Sequence, residues 1–271
     1  DRSGRMSLHV EVTGSGADVV LLHGWAMHGG VWGPWLDGFA RHARLHVVDL
    51  PGHGHSSWTE AVRDLPGFAS AVGPAVPHGA ILLGWSLGGM VALELARRQP
   101  HGVAALILVA TTPKFVVGDG WQHGLHRDVF DGFARDLAAD DRRTVQNFLA
   151  LQARGDERSQ EALRLLRRGV AAHDAADPQA LAAGLSILRK ADLRADLPQI
   201  AQPSLVIAGD RDRLTPPDAG RMLAEALPHA CFRLIERSGH APFLTHAPEV
   251  LSAILPFIGA QAAAAGAPSP A

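Results

Sequence analysis

The sequence predicts an α/β fold in which a mostly parallel sheet is flanked by helices and interrupted by one helical insertion. Three observations carry this. Short runs of branched apolar residues alternate with helical apolar spacing along the chain. A serine stands between glycines where one such run passes into a helix, in Gly84-Trp85-Ser86-Leu87-Gly88. One long interval, residues 113–193, contains helical patterns and no strand-like run.

The strands are read in order. HVEV from His9 alternates like a half-exposed strand. VVLLHG from Val19, LHVVDL from Leu45, ILLGWS from Ile81, AALILVA from Ala104 and SLVIAGD from Ser204 are continuous apolar runs, as expected of parallel strands covered on both faces. CFRLIE from Cys231 is a more mixed last strand. The intervals between most of them are long enough for crossover helices, and in such sheets chemistry collects at the carboxyl ends of the strands. In the insertion, DVFDGFARDLA, RRTVQNFLALQ, QEALRLLRRGVAA and PQALAAGLSILRK each have helical spacing, which suggests a lid over those ends. The expected organisation is a core in two parts, 1–112 and 194–258, a helical lid at 113–193 and a flexible, non-packing tail at 259–271.

Composition narrows the function classes. Twenty-five basic against 27 acidic side chains argue against a nucleic-acid or membrane-surface partner. The single cysteine, Cys231, has no partner for a disulfide and fits a reducing compartment. No stretch approaches about 18 consecutive apolar residues, and the N-terminus lacks a signal pattern, so a cytoplasmic monomer is expected. Asp1–Arg5 precede Met6 and read as a cloning remnant.

G-x-S-x-G at a strand-to-helix junction is a nucleophile elbow. The turn is tight enough that the flanking positions must lack bulk, and the serine backbone is strained. It presents the Ser86 hydroxyl at the sheet edge and leaves the N–H of Leu87 at a helix start, where an oxyanion can bind. A serine hydroxyl needs a base, and the base needs an orienting carboxylate. The loop after SLVIAG offers Asp210 and Asp212, and the loop after the last strand offers His240. Asp212 is preferred because it lies deeper in its loop, with Asp210 left to brace the turn; His246 is a rival base. Of the 15 histidines, His53, His55, His78, His101, His123, His126, His173 and His229 are read as surface residues. Gly24 permits a close turn after the strand VVLL, so that the N–H of Trp25 can serve as a second oxyanion donor.

Absences exclude other chemistries. There is no H-E-x-x-H, no cysteine–histidine cluster, no phosphate-cradling G-x-x-x-x-G-K-[ST] and no dinucleotide G-x-G-x-x-G after a first strand. Neither a catalytic metal nor a cofactor is expected. Serine rather than aspartate at the elbow argues against dehalogenase and epoxide-hydrolase chemistry.

Together HGW at 23–25, DLPGHGHS at 49–56, GWSLGG at 84–89, FLALQ at 148–152, GDRDRLTP at 209–216 and SGHAPF at 238–243 resemble the α/β-hydrolase family of pimeloyl-[acyl-carrier protein] methyl ester esterases of biotin synthesis. The resemblance runs from about residue 8 to residue 258, and the tryptophans 25 and 85 with FLALQ are its family-specific part. It implies the α/β-hydrolase fold, hydrolysis of a methyl ester on a carrier-bound pimeloyl chain, and Ser86, Asp212 and His240 as a triad. It implies that Trp25 and Leu87 contact the ester carbonyl and that Phe148, Leu149, Ala150, Leu151 and Gln152 line the acyl channel. FLALQ also reads as ordinary lid core. The alternatives are a general short-chain carboxylesterase, a carbon–carbon bond hydrolase of the same fold, or a non-catalytic binding protein, which normally lacks a triad member.

The charge distribution is uneven. Arg142, Arg143, Arg154, Arg158, Arg164, Arg167 and Arg168 against Asp156, Glu157 and Glu161 give residues 142–168 a balance of +4 on a chain of −2. Charge alone reads as a solvated helix face. The resemblance implies docking of the acidic acyl-carrier protein at Arg143 and Arg164. Asn147 and Gln160 stand where the family can have arginine, and Arg167 and Arg168 offer substitutes.

Overall fold

The computed structural model describes residues 6–171, 173 and 175–266. Seven strands form one sheet: β1 (Val10–Gly14), β2 (Asp18–Leu22), β3 (Arg44–Val48), β4 (Ala80–Trp85), β5 (Val103–Val109), β6 (Ser204–Gly209) and β7 (Ala230–Ile235). Their order is β1-β3-β2-β4-β5-β6-β7, with β1 antiparallel to β3 and every other pair parallel. β4 and β6 are buried at every position, which is why their sequences are unbroken apolar runs. β7 is buried only at Ile235, and its residues alternate in type accordingly.

Among the described residues ten α-helices accompany the sheet: α1 (Gly33–Phe39), α2 (Leu65–Val72), α3 (Leu87–Arg98), α4 (Arg127–Ala139), α5 (Asp141–Ala153), α6 (Ser159–Ala171), α7 (Pro178–Lys190), α8 (Pro217–Ala226), α9 (Pro242–Thr245) and α10 (Ala247–Gly266). α3 packs on β4 and β5, α8 on β6 and β7, and α10 on β5, β6 and β7. Starts follow local chemistry. Asp64 accepts the N–H of Gly67 at the head of α2, Asp140 that of Arg143 at the head of α5, and Asp177 that of Gln179 at the head of α7.

Helices α4–α7 lie between β5 and β6 and pack on one another, α4 on α5 and α7, and α5 on α6. The two stems of this insertion meet where Leu193 N–H donates to Pro113 O at 2.9 Å. Asp192 joins the same neck, taking Arg194 at 2.7 Å and Lys114 at 2.9 Å. The Arg194 hydrogen bond, with that of Lys114, holds the Asp192 carboxyl below the usual carboxylate range.

One expectation needs correction. Residues 259–266, placed in the tail, continue α10 as helix because Gln261 to Ala265 are strong helix formers with nothing to break the turn; residues 1–5 and 267–271 lie outside the described residues. The window Ala247–Ala264 is also long and apolar enough to cross a membrane by length and composition, although Val250, Ile254 and Ile258 are buried against the fold.

Candidate active site

The strand order turns about β2 and β4, so the loops leaving these neighbours meet above their carboxyl ends. Ser86 sits there with φ +55° and ψ −118°, a conformation that L-residues rarely adopt. The surroundings over-determine it. Ser86 N–H donates to Val109 O at 3.0 Å, and Thr111 Oγ1 donates to Ser86 O at 2.7 Å. A Cβ at Gly88 would run into the carbonyl of Leu22, one at Gly84 into the backbone of Gly88, and one at Gly89 into Thr111. The glycines are therefore what lets α3 start so close to β2.

His240 and Asp212 arrive from the loops after β7 and β6. His240 Nδ1 lies 2.8 Å from Asp212 Oδ2. Asp212 is held in turn by the N–H groups of Leu214 (2.8 Å) and Thr215 (3.0 Å) on Oδ1 and by Thr215 Oγ1 (2.7 Å) on Oδ2. An ionised carboxylate accepts only, so Nδ1 carries the hydrogen and Nε2 is left with its lone pair. Nε2 is buried and has no partner among the described residues. Trp85 Nε1 donates to His240 O at 2.8 Å, tying the histidine loop to the residue before the serine. Asp210 instead accepts the N–H of Ser238 at 3.1 Å and braces the two loops. His246 pairs with Thr245 Oγ1 at 2.9 Å and Glu157 Oε1 at 3.4 Å, away from Asp212.

The loop after β2 completes the site. A Cβ at Gly24 would lie 3.3 Å from Ser86 Cβ, so Trp25 begins one residue from the serine. Leu87 is the first residue of α3, and its N–H has no acceptor within the helix. Trp25 is pinned by the insertion: its Nε1 donates to Leu181 O at 2.9 Å, its ring meets Phe148 edge-on at 4.8 Å, and a Cβ at Gly184 would come 2.7 Å from Cδ1. Ser86 is 5% and His240 1% exposed, so α5 and α7 close over a buried site.

FLALQ divides by helical face. Phe148, Leu149 and Gln152 are buried, and Gln152 O accepts the N–H of His240 at 3.3 Å. Ala150 is exposed, and with Leu151 it lines an outer groove shared with Asn147, Gln160 and Leu163. Treating the five residues as one channel wall is thus incorrect, because a helix turns successive side chains by about 100°. Arg143, Arg164, Arg167 and Arg168 are all exposed, and none forms an ion pair with another described residue.

Three contributors escape motif reading. Asp156, in the turn between α5 and α6, is buried, and its Oδ2 accepts Gly239 N–H at 2.9 Å and Thr245 Oγ1 at 2.8 Å. His23 is buried with Nδ1 2.8 Å from Gly24 O and Nε2 accepting Leu50 N–H at 2.8 Å, which spaces the loops after β2 and β3. Burial pushes it down to about 3, with the nearby His53 imidazole adding to the shift. His53, expected at the surface, is instead buried. Its Nδ1 bonds Pro51 O at 2.9 Å, and burial lowers it to about 4. His23 and His53 stand inside the motifs HGW and DLPGHGHS, which named no role for them, whereas Asp156 had no signal.

This sheet with this site defines the α/β-hydrolase class, and the family model described as alpha/beta hydrolase fold matches residues 19–247. An esterase from Exiguobacterium antarcticum superposes with a TM-score of 0.83 at 25% identity, covering 94% of this chain and 96% of that one. The pimeloyl-[acyl-carrier protein] methyl ester esterase of Stenotrophomonas maltophilia (strain K279a) is 44% identical over 96% of this chain and 99% of its own. The protein of that name from Xanthomonas oryzae pv. oryzae (strain MAFF 311018) is 46% identical over 93% and 98%. The chain belongs to this esterase family.

Proposed function

We propose that the chain hydrolyses the methyl ester of pimeloyl-[acyl-carrier protein], releasing methanol in biotin synthesis, with Ser86 as nucleophile, His240 as base and Asp212 as its orienting partner. Family membership supports the substrate. The observation that carries the residue roles is the His240–Asp212 pair at 2.8 Å, with the opposite imidazole nitrogen buried and without a partner among the described residues, in a loop that Trp85 ties to the residue before the strained serine. In this reading His240 Nε2 takes the hydroxyl proton as Ser86 Oγ attacks the ester carbonyl. The N–H groups of Leu87 and Trp25 stabilise the oxyanion, and as it collapses the imidazolium protonates the departing methoxide, which leaves as methanol. Water, activated by the same imidazole, releases the acyl group from Ser86.

Phe148, Leu149 and Gln152 supply the buried wall nearest the site. The carrier is assigned to the arginines of α5 and α6, Arg143, Arg164, Arg167 and Arg168, whose exposure and lack of ion pairs among the described residues support a role toward an acidic partner. The test compares turnover of methyl pimeloyl-carrier with that of free dimethyl pimelate. A markedly higher kcat/KM for the carrier-bound ester is expected. Equal values would point to a general short-chain carboxylesterase. Ser86→Ala should lower kcat on both by roughly four to six orders of magnitude.

A further inference from the structure

The ester chemistry leaves unused a carboxylate set among histidines at the start of the loop after β3. Asp49 is buried; its Oδ1 accepts Gly29 N–H at 2.6 Å and its Oδ2 accepts His55 N–H at 2.9 Å. Two backbone donors orient the group and leave lone pairs on both oxygens. Gly54, at φ +54°, allows the loop to fold over it, since a Cβ there would collide with the carboxylate itself.

The neighbouring segments are fixed by the same loop. His9 N–H donates to Ser56 Oγ at 2.9 Å, Ser56 Oγ donates to Asp49 O at 2.7 Å, and Asp49 N–H donates to His9 O at 3.1 Å. These bonds hold His9 against Asp49 and against Ser56, the neighbour of His55, and so bring His9, Asp49 and His55 together. His55 Nδ1 lies 3.8 Å from Asp49 Oδ2, and the His9 and His55 rings are 4.7 Å apart. One donor atom from each of His9, Asp49 and His55 falls within 4.8 Å of the other two. In a tetrahedral site with bonds of about 2.0–2.2 Å, ligand atoms stand about 3.3 Å apart. The two histidine side chains are partly exposed, which leaves them room to turn toward that spacing.

We propose that His9, Asp49 and His55 form a binding site for a divalent transition-metal ion of the Zn²⁺ type. Two imidazoles and one carboxylate are a donor set for Zn²⁺ and its neighbours, not for Mg²⁺ or Ca²⁺, which require mostly oxygen. The backbone N–H groups on Asp49 are the outer partners that such sites use to aim their ligands. The bound ion ties the segment before β1 to the loop after β3. Its role is structural, because none of its ligands belongs to the group around Ser86.

The experiment uses untagged protein, stripped with a chelator and titrated with Zn²⁺ by calorimetry and against a chromogenic chelator. One Zn²⁺ per chain is expected, with affinity falling at least about 10-fold in His9→Ala and again in His55→Ala. Replacing the exposed His78 and His101 should leave it unchanged. Zn²⁺ should raise the melting temperature of the unsubstituted protein and not that of the His9→Ala/His55→Ala variant, whose metal-free melting temperature shows whether it is folded. Sub-stoichiometric binding at tenfold excess of Zn²⁺, or undiminished affinity in the double variant, would overturn the site.

Discussion

Ser86 and His240 are held by backbone bonds rather than by each other's side chains. The serine is fixed through Val109 and Thr111, and the histidine loop through Trp85 and Gln152. The two aspartates two positions apart show how position decides role. Asp212→Asn should cost about 10⁴-fold in kcat, because an amide facing Nδ1 favours the wrong imidazole tautomer. Asp210→Asn keeps an amide oxygen for the Ser238 N–H but loses the negative charge that strengthens that bond, and should lower the melting temperature modestly while leaving most of the activity. Steady-state kinetics and thermal melts of both variants check this, and the reverse ranking would move the orienting role to Asp210.

Among elements, the turn between α5 and α6 does more than connect two helices. Gln152 O takes the N–H of His240, Asp156 takes that of Gly239, and Glu157 N–H donates to Arg237 O at 2.9 Å. The insertion is thus bolted to the histidine loop at three consecutive places. Movement of α5 and α6 during substrate entry would be felt at His240. Asp156→Asn weakens the middle bolt, and a misplacement of the imidazole by about 1 Å is worth on the order of 10²-fold. Kinetics of this variant on a small free ester should show kcat reduced with KM nearly unchanged. A rise in KM alone would place Asp156 in substrate binding instead.

For the molecule as a whole, charge and acid sensitivity matter most. A basic α5–α6 surface rides on a body that is net acidic. Reversing Arg143 and Arg164 to glutamate should raise KM for the carrier-bound ester, most at low salt where the Debye length is about 30 Å. Hydrolysis of a free ester should be unchanged; equal loss on both substrates would assign the arginines to the insertion's own structure. Acid acts through His23 and His53, which are lowered from 6.5 to about 3 and about 4. The unfolded chain takes up these protons first, so their contribution is complete above about pH 6.5 and is lost as pH falls toward the folded values. Melting temperature should therefore drop between about pH 7 and about pH 5, and less steeply in His53→Gln.

By itself the sequence determined the strands, the helices of the insertion, the elbow and the residue types that accompany it, because each is a local pattern. Apolar runs, helical spacing and a turn that tolerates only glycine are legible within a few residues. The family resemblance rested on such motifs too. The sequence also favoured Asp212 over Asp210, but tertiary structure alone decided how Asp212 is held, which of the FLALQ side chains face the site, and that His53 is buried. It also joined Asp156 to Gly239, and His9 to Asp49 and His55. These are contacts between segments distant along the chain. Their distances depend on how loops from different strands are brought over one sheet edge, and no local pattern encodes that.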